Sequence, residues 1–292
     1  MEKIGLYLGC LIPTEQYAYE LALREVMPDL GVELADVDDV ACCGAPLRHI
    51  NLSLTMYLSA RNLALFEKEE LDILAPCPYC HQALSEAKHV LDNNRELREK
   101  INKYLEGEGL SYSGTGELLH VLDLLHDKVG VDKIKEKVTS PLDGKNIAAH
   151  YGCHLIRPND IPRPDHSENP QKLETLLKTI GAKSDYYNEK LDCCGAHIFV
   201  NESESALTKT GQKLQAVQEH GFHAMTDLCP WGHRMFDARQ ETAGKTVGTS
   251  LSVPVLYYVQ LLGLAMGKDA SSLGLDLNLS PVDDFLKSEE EG

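Results

Sequence analysis

Apolar positions along the chain gather into short runs that occur in matched pairs. Residues 4–8 match 147–151, and residues 71–75 match 222–228; each run has the length and continuity of a buried strand. After Cys77 the period becomes helical, with Leu84, Ala87 and Leu91 three or four positions apart, and Thr14 is placed to cap a helix that carries Leu21 into Val26. Residues 120–134 and 253–266 are longer apolar stretches in corresponding positions, and both read as core helices. Strands alternating with helices predict an α/β fold with mainly parallel sheets.

The length of 292 residues suffices for two domains that each bury a core. Residues 139–144 are rich in turn formers, so the boundary is expected there, with one domain over 1–140 and a second over 141–292. Residues 287–292, which include three consecutive glutamates, read as a solvated tail. A composition of 43% hydrophobic and 25% charged residues is globular and excludes disordered or collagen-like chains. The net charge of −17 argues against nucleic-acid or anionic-membrane binding. The amino-terminal residues lack the pattern of a secretory leader, and no apolar stretch reaches the roughly 18 residues of a membrane helix. A cytoplasmic protein that does not insert into a membrane is expected.

Nine cysteines in a reducing compartment point to metal or redox chemistry rather than disulfides. Their order repeats. Cys10, Cys42, Cys43, Cys77 and Cys80 are answered by Cys153, Cys193, Cys194 and Cys229, at offsets of 143, 151 and 152. The flanks agree: Cys-Cys-Gly-Ala occurs at 42 and again at 193, and Cys-Pro-Tyr-Cys-His at 77 is answered by Cys-Pro-Trp-Gly-His at 229. Gly232 therefore stands where the first half carries Cys80.

A strand end followed by a helix start supplies N–H groups that favour thiolates, the form that binds soft metals. Adjacent cysteines in extended backbone point to opposite sides, which strains a single tetrahedral zinc but suits a polynuclear cluster with thiolates on different irons. The alternatives are buried structural cysteines, zinc sites (the four second-half sulfurs number enough for a closed one), and a glutaredoxin-type dithiol at Cys77–Cys80. The dithiol leaves the other seven cysteines without a purpose.

The doubled order Cys, Cys-Cys-Gly, Cys-Pro-x-Cys resembles the CCG-domain family, and within it the B subunits of heterodisulfide reductases. The resemblance spans residues 10–279 and implies two Rossmann-like CCG domains as pseudo-repeats, each with a noncubane [4Fe-4S] cluster. It implies that Cys10, Cys42, Cys43, Cys77 and Cys80 hold the first cluster and Cys153, Cys193, Cys194 and Cys229 the second. A small-thiol disulfide, such as that of coenzymes M and B, would be cleaved or formed by single electrons. The electrons would arrive from a ferredoxin-like C subunit fed by a flavin-carrying A subunit of the same complex. Gly232 removes the family's final ligand at the second site. The expectation there is a cluster with one iron left open to a substrate thiol, with zinc as the alternative occupant. His233, next to Gly232, reads as a residue around the site rather than a ligand. Other family members point to a second reading, an electron-relay subunit of a sulfur-oxidising, bifurcating or succinate dehydrogenase complex.

His49, His154, His197 and Arg234, with Arg48 and Arg157, lie close in sequence to the cysteines and are candidates for orienting an anionic thiol substrate. Trp231 is the sole tryptophan and lies between Cys229 and Gly232, where it is expected to pack beside the second site.

Overall fold

A computed structural model describes residues 2–287; the expected tail beyond Lys287 lies outside them. Four strands, β1 (Glu2–Leu6), β2 (Val32–Ala35), β3 (Asp72–Leu74) and β4 (Leu118–Leu119), form a parallel sheet in the order β2-β1-β3-β4. A second parallel sheet contains β5 (Ile147–His150), β6 (Ala224–Asp227) and β7 (Val255–Tyr257) in that order. Every residue of β5, β6 and β7 is buried, the signature of a sheet covered on both faces. The halves are a repeat: β5, β6 and β7 answer β1, β3 and β4, while the counterpart of β2 shrinks to a single bridge between Asn146 and Lys183.

Six helices matter to the site: α1 (Tyr17–Val26), α2 (Leu52–Lys68), α3 (Pro78–Asn93), α4 (Ser203–Glu219), α5 (Pro230–Phe236) and α6 (Tyr258–Ala265). Leu84, Ala87 and Leu91 form the buried stripe of α3, as their spacing predicts. The stretch 253–266 is not one helix. Its first part pairs with β6 through Met225 N–H to Pro254 O at 2.8 Å, because Pro254 cannot propagate a helix and the β-formers Val253 and Val255 flank it. The stretch 120–134 is also interrupted, by a π-helical segment over Leu124–Gly130 that ends at Gly130 with φ of +85°. Thr14 caps nothing: its hydroxyl donates back to Cys10 O at 2.8 Å, and α1 begins at Tyr17.

One buried cluster, which includes Ala148, Leu214, Met225 and Val255, lies wholly in the second half, and a larger one spans both halves. Tyr19, Leu23 and Val26 of α1 share one buried cluster with Tyr257, Leu261 and Leu262 from the other end of the chain. The linker is drawn in by Thr139 and Ser140 N–H groups, both donating to Ala265 O at 2.9 Å.

Each Cys-Cys-Gly turn is built the same way. Gly44 and Gly195 have φ of +82° and +85°, a region L side chains rarely adopt. Each also lies flat on a helix: a Cβ would sit 2.9 Å from Thr55 Cα on α2 at Gly44, and 2.4 Å from Ala206 O on α4 at Gly195. Ser59 and Thr210, at matching helix positions, donate to Cys43 O and Cys194 O, both at 2.8 Å.

Gly195→Ala is expected to lower the unfolding free energy by about 2–4 kcal/mol, from strained backbone and a clash with main chain that cannot yield. At Gly221, where φ is +71° but a Cβ meets nothing within 4 Å, the same change should cost about 1 kcal/mol. Urea denaturation of both variants checks the difference, and equal losses would show that close approach to α4 is unimportant.

Candidate metal centre

The cysteines stand where parallel strands end. Cys10 and Cys153 follow β1 and β5, the Cys-Cys pairs sit on the glycine turns, and Cys77 and Cys229 occupy the positions just before α3 and α5. All nine are free thiols; Cys43, Cys77, Cys80, Cys194 and Cys229 are buried, while Cys10 and Cys193 lie at the exposed rims. In the first half the sulfurs form a contiguous string: Cys10 to Cys42 at 4.0 Å, then Cys42 to Cys43, Cys43 to Cys80 and Cys80 to Cys77. The string crosses between the halves, because Cys77 also meets Cys229. Cys153, Cys193 and Cys194 form the corresponding string in the second half.

Hydrogen bonds from the Cys10 and Cys43 thiols pull Cys42 down to about 2, and those from Cys153 and Cys194 likewise lower Cys193. Backbone N–H groups add to this: Gly44 serves Cys42, Tyr79 and Cys80 serve Cys77, Gly195 serves Cys193 at 3.4 Å, and Gly232 serves Cys229. This donor set fits iron–sulfur clusters. Among the described residues no three His, Cys, Asp or Glu side chains converge on one metal-ion position. Sulfurs spread along a string, with N–H groups aimed at them, suit a polynuclear centre whose thiolates fall on different irons.

One side chain sets the distance between the two Cys-Pro turns. The Tyr19 hydroxyl lies 3.3 Å from Pro76 O and 3.2 Å from Leu228 O, the equivalent carbonyls just before Cys77 and Cys229. Its ring stacks on Tyr257 at 4.1 Å, and Tyr257 stacks in turn on His233 at 3.8 Å. Burial disfavours charge on His233, but the Asp227 carboxylate, 3.3 Å from Nδ1, outweighs it and raises the imidazole above its ordinary value. Asp237 lies 3.9 Å from Nε2, so both nitrogens of His233 face carboxylates. This agrees with a place around the site rather than on a metal.

A different histidine faces Gly232. His150, the last residue of β5, is 1% exposed, and neither ring nitrogen makes a hydrogen bond, although the Lys190 backbone lies near. Its Nε2 is 3.5 Å from the point where residue 232 would carry a Cβ. The sequence signal for it is the repeat itself, since His150 stands where the first half has Tyr7. Tyr7 is fully satisfied: its hydroxyl donates to Ala41 O at 2.7 Å and accepts from Asn62 Nδ2 at 3.3 Å. Lys213 takes the place of Asn62 and donates to Glu189 O, Lys190 O and Asp192 O at 2.7, 2.9 and 3.2 Å, which ties down the segment before Cys193.

The substrate-orienting candidates separate. His154 and His197 come together with Tyr79 and Trp231 in one half-buried aromatic cluster, with His154–His197 centroids at 4.4 Å and His197–Trp231 at 5.1 Å. His154 Nδ1 is 3.6 Å from Cys153 Sγ, and burial brings its imidazole down to about 3, so the ring is neutral. Tyr79 joins this cluster from the first half and donates to Ala45 O at 2.9 Å. Arg234 instead pairs with Glu15 across the halves at 2.9 Å, and Arg48 pairs with Glu86. His49 is exposed, with no hydrogen bond, ion pair or ring contact among the described residues.

The cysteine-rich domain of the CCG family matches residues 4–85 and 147–237, one match over each set of cysteines. The chain belongs to the CCG family. Within the CCG family it is similar to the B subunit of the ferredoxin:CoB-CoM heterodisulfide reductase of Methanosarcina mazei, at 34% identity over 98% of this chain and 96% of that one. It is also similar to the 8-methylmenaquinol:fumarate reductase membrane anchor subunit of Wolinella succinogenes, at 32% identity over 95% and 97%. Among the described residues no helix is long and apolar enough to cross a membrane. A hypothetical protein from Helicobacter pylori shares the fold, with a TM-score of 0.75 at 19% identity over 96% of this chain and 52% of that one. The two CCG matches end before β4 and β7, so the Tyr257 that packs on Tyr19 lies beyond them.

Tyr19→Phe should leave the ring stack in place and cost about 1–3 kcal/mol, because the buried Leu228 carbonyl loses its donor, while Pro76 O keeps the His120 Nε2–H at 2.8 Å. Thermal unfolding measures the loss; an unchanged midpoint would mean that the hydroxyl does not hold the halves together.

Proposed function

We propose that this chain is the iron–sulfur subunit of a heterodisulfide reductase-type complex, where it cleaves or forms a disulfide of small thiols. The observation that carries this reading is the sulfur string that passes through Cys77 and Cys229 from one half into the other. The first cluster would be held by Cys10, Cys42, Cys43, Cys77 and Cys80, and the second by Cys153, Cys193, Cys194 and Cys229, each of noncubane type. When bound, these clusters supply electrons one at a time; a disulfide that takes up two electrons and two protons leaves as two thiols.

The chain's own residues do the rest. N–H groups at the helix starts and glycine turns favour the anionic form of Cys42, Cys77 and Cys193, one sulfur in each string and one at the crossing between the halves. His154, beside Cys153, and His197, packed on His154, are neutral and each present one N–H to a sulfur-bearing substrate, and Tyr79 and Trp231 close the flank against water. The coenzyme M–coenzyme B heterodisulfide, named in the Methanosarcina relative, or an analogue is the substrate class. The electron-supplying partners are a ferredoxin-like C subunit and, behind it, a flavin-carrying A subunit. The segments after the Cys-Cys-Gly turns, up to the first residue of α2, expose Ile50, Leu52 and Val200 at 83, 59 and 89%, apolar surface of the kind a partner covers. A cytoplasmic location keeps such thiols reduced.

The Wolinella relative supports a second reading, an electron relay that meets no thiol substrate. Anaerobic purification with iron, sulfide and zinc counts, followed by turnover with a small disulfide and reduced ferredoxin, separates the readings. About eight irons with matching sulfide and measurable turnover are expected. Zinc in place of iron ends the cluster reading, and iron without turnover leaves the relay. In Cys43→Ala, about half of the iron should be lost together with the first cluster's spectrum. Unchanged iron and spectrum would remove Cys43 from the ligand set.

A further inference from the structure

We propose that the His150 imidazole is an iron ligand at the second cluster, taking the place of the thiolate that Gly232 removes. The assignment rests on the cluster reading above and concerns which side chain completes the second site.

Three differences between the halves occur together. Cys80, Tyr7 and Asn62 become Gly232, His150 and Lys213, at matched positions of one repeated framework. In the first half Cys80 Sγ lies over Gly9, and a Cβ on Gly9 would meet it at 2.7 Å; Tyr7 is bound to backbone and to Asn62 and offers nothing to a metal. In the second half the bulk of that cysteine is gone, and the space is bordered by His150 Nε2, 3.5 Å from the missing Cβ.

His150 has no other occupation. It is buried to 1% exposure, the Lys190 backbone is near it, and neither nitrogen makes a well-formed hydrogen bond, whereas a buried imidazole ordinarily satisfies both. Phe236 meets its ring edge-on at 5.0 Å and fixes the plane without taking a nitrogen. The other nearby imidazoles are engaged, His233 by Asp227 and Asp237 and His154 beside Cys153. Burial, and then the Lys213 ammonium, hold His150 well below its ordinary value, so a lone pair is present at neutral pH. Imidazole in place of thiolate on iron is known chemistry, and it makes a site less negative and raises its potential. The iron expected from sequence to stand open is then closed by a nitrogen.

The test uses the full chain, purified anaerobically with 15N-labelled histidine. Pulsed EPR is recorded in a paramagnetic oxidation state, with iron and sulfide counted on the same sample. Unmodified protein should hold about eight irons and show an isotope-sensitive coupling from a directly bonded nitrogen. His150→Ala should lose that coupling and up to about four irons, all from the second site. Should that variant fail to fold, the pair His150→Tyr with Gly232→Cys, which recreates the first half's arrangement, should keep its iron and lose the nitrogen coupling. A fully loaded protein without the coupling, or a double variant that retains it, overturns the assignment and leaves the cluster reading intact. A second site without iron, seen as Cys43→Ala protein that binds none, overturns the cluster reading there as well.

Discussion

The Tyr19 hydroxyl stands between two acceptors, Pro76 O and Leu228 O, and has one proton to give them. Those carbonyls end equivalent strands in different halves, so a single phenol fixes how closely the two Cys-Pro turns approach. Its ring is held by Tyr257, whose own hydroxyl donates to Gln16 at 2.6 Å, and by the buried face of α1. The clamp sits directly behind the place where the sulfurs of Cys77 and Cys229 meet. There the path from one half to the other needs no intervening side chain.

Around this clamp the halves keep one framework and change its chemistry. The Cys-Cys-Gly turns superpose in every constraint that matters, including positive φ, contact with a helix backbone, and a hydroxyl donor to the second cysteine's carbonyl. Asn62 and Lys213 then do the same mechanical work differently. The amide accepts from Ala41 N–H and donates to Tyr7, whereas the ammonium gathers three carbonyls and brings a charge into a buried place, where burial lowers it to about 7. A duplicated scaffold thereby carries two electrostatically unlike sites.

Much of this was legible in the sequence because it is local or periodic. The strands at 4–8, 71–75, 147–151 and 222–228 appear within a residue or two of their runs, and the offsets between cysteines disclosed the repeat. Residues 253–257 misled because a short run of Val, Leu and Tyr reads alike as buried strand or helix until its pairing partner is known. Among residues near the site, adjacency to cysteine was the weaker guide. It picked out Arg234, which the fold sends to Glu15, and His49, which is exposed, but also His154 and His197, which do meet. His150 was missed because it lies three residues before Cys153 and at the end of β5, far in sequence from Gly232 on α5; only the fold brings them face to face.

The exposed rims at Cys10 and Cys193 are where the buried sulfurs come within reach of oxidants. Cys10 and Cys42 Sγ atoms are 4.0 Å apart, roughly 2 Å more than a disulfide, a gap that small rotations close. The thiolate character of Cys42 that favours metal equally favours attack by oxidants. An oxidant that takes two electrons and two protons from Cys10 and Cys42 would therefore join them and close the cradle from its rim.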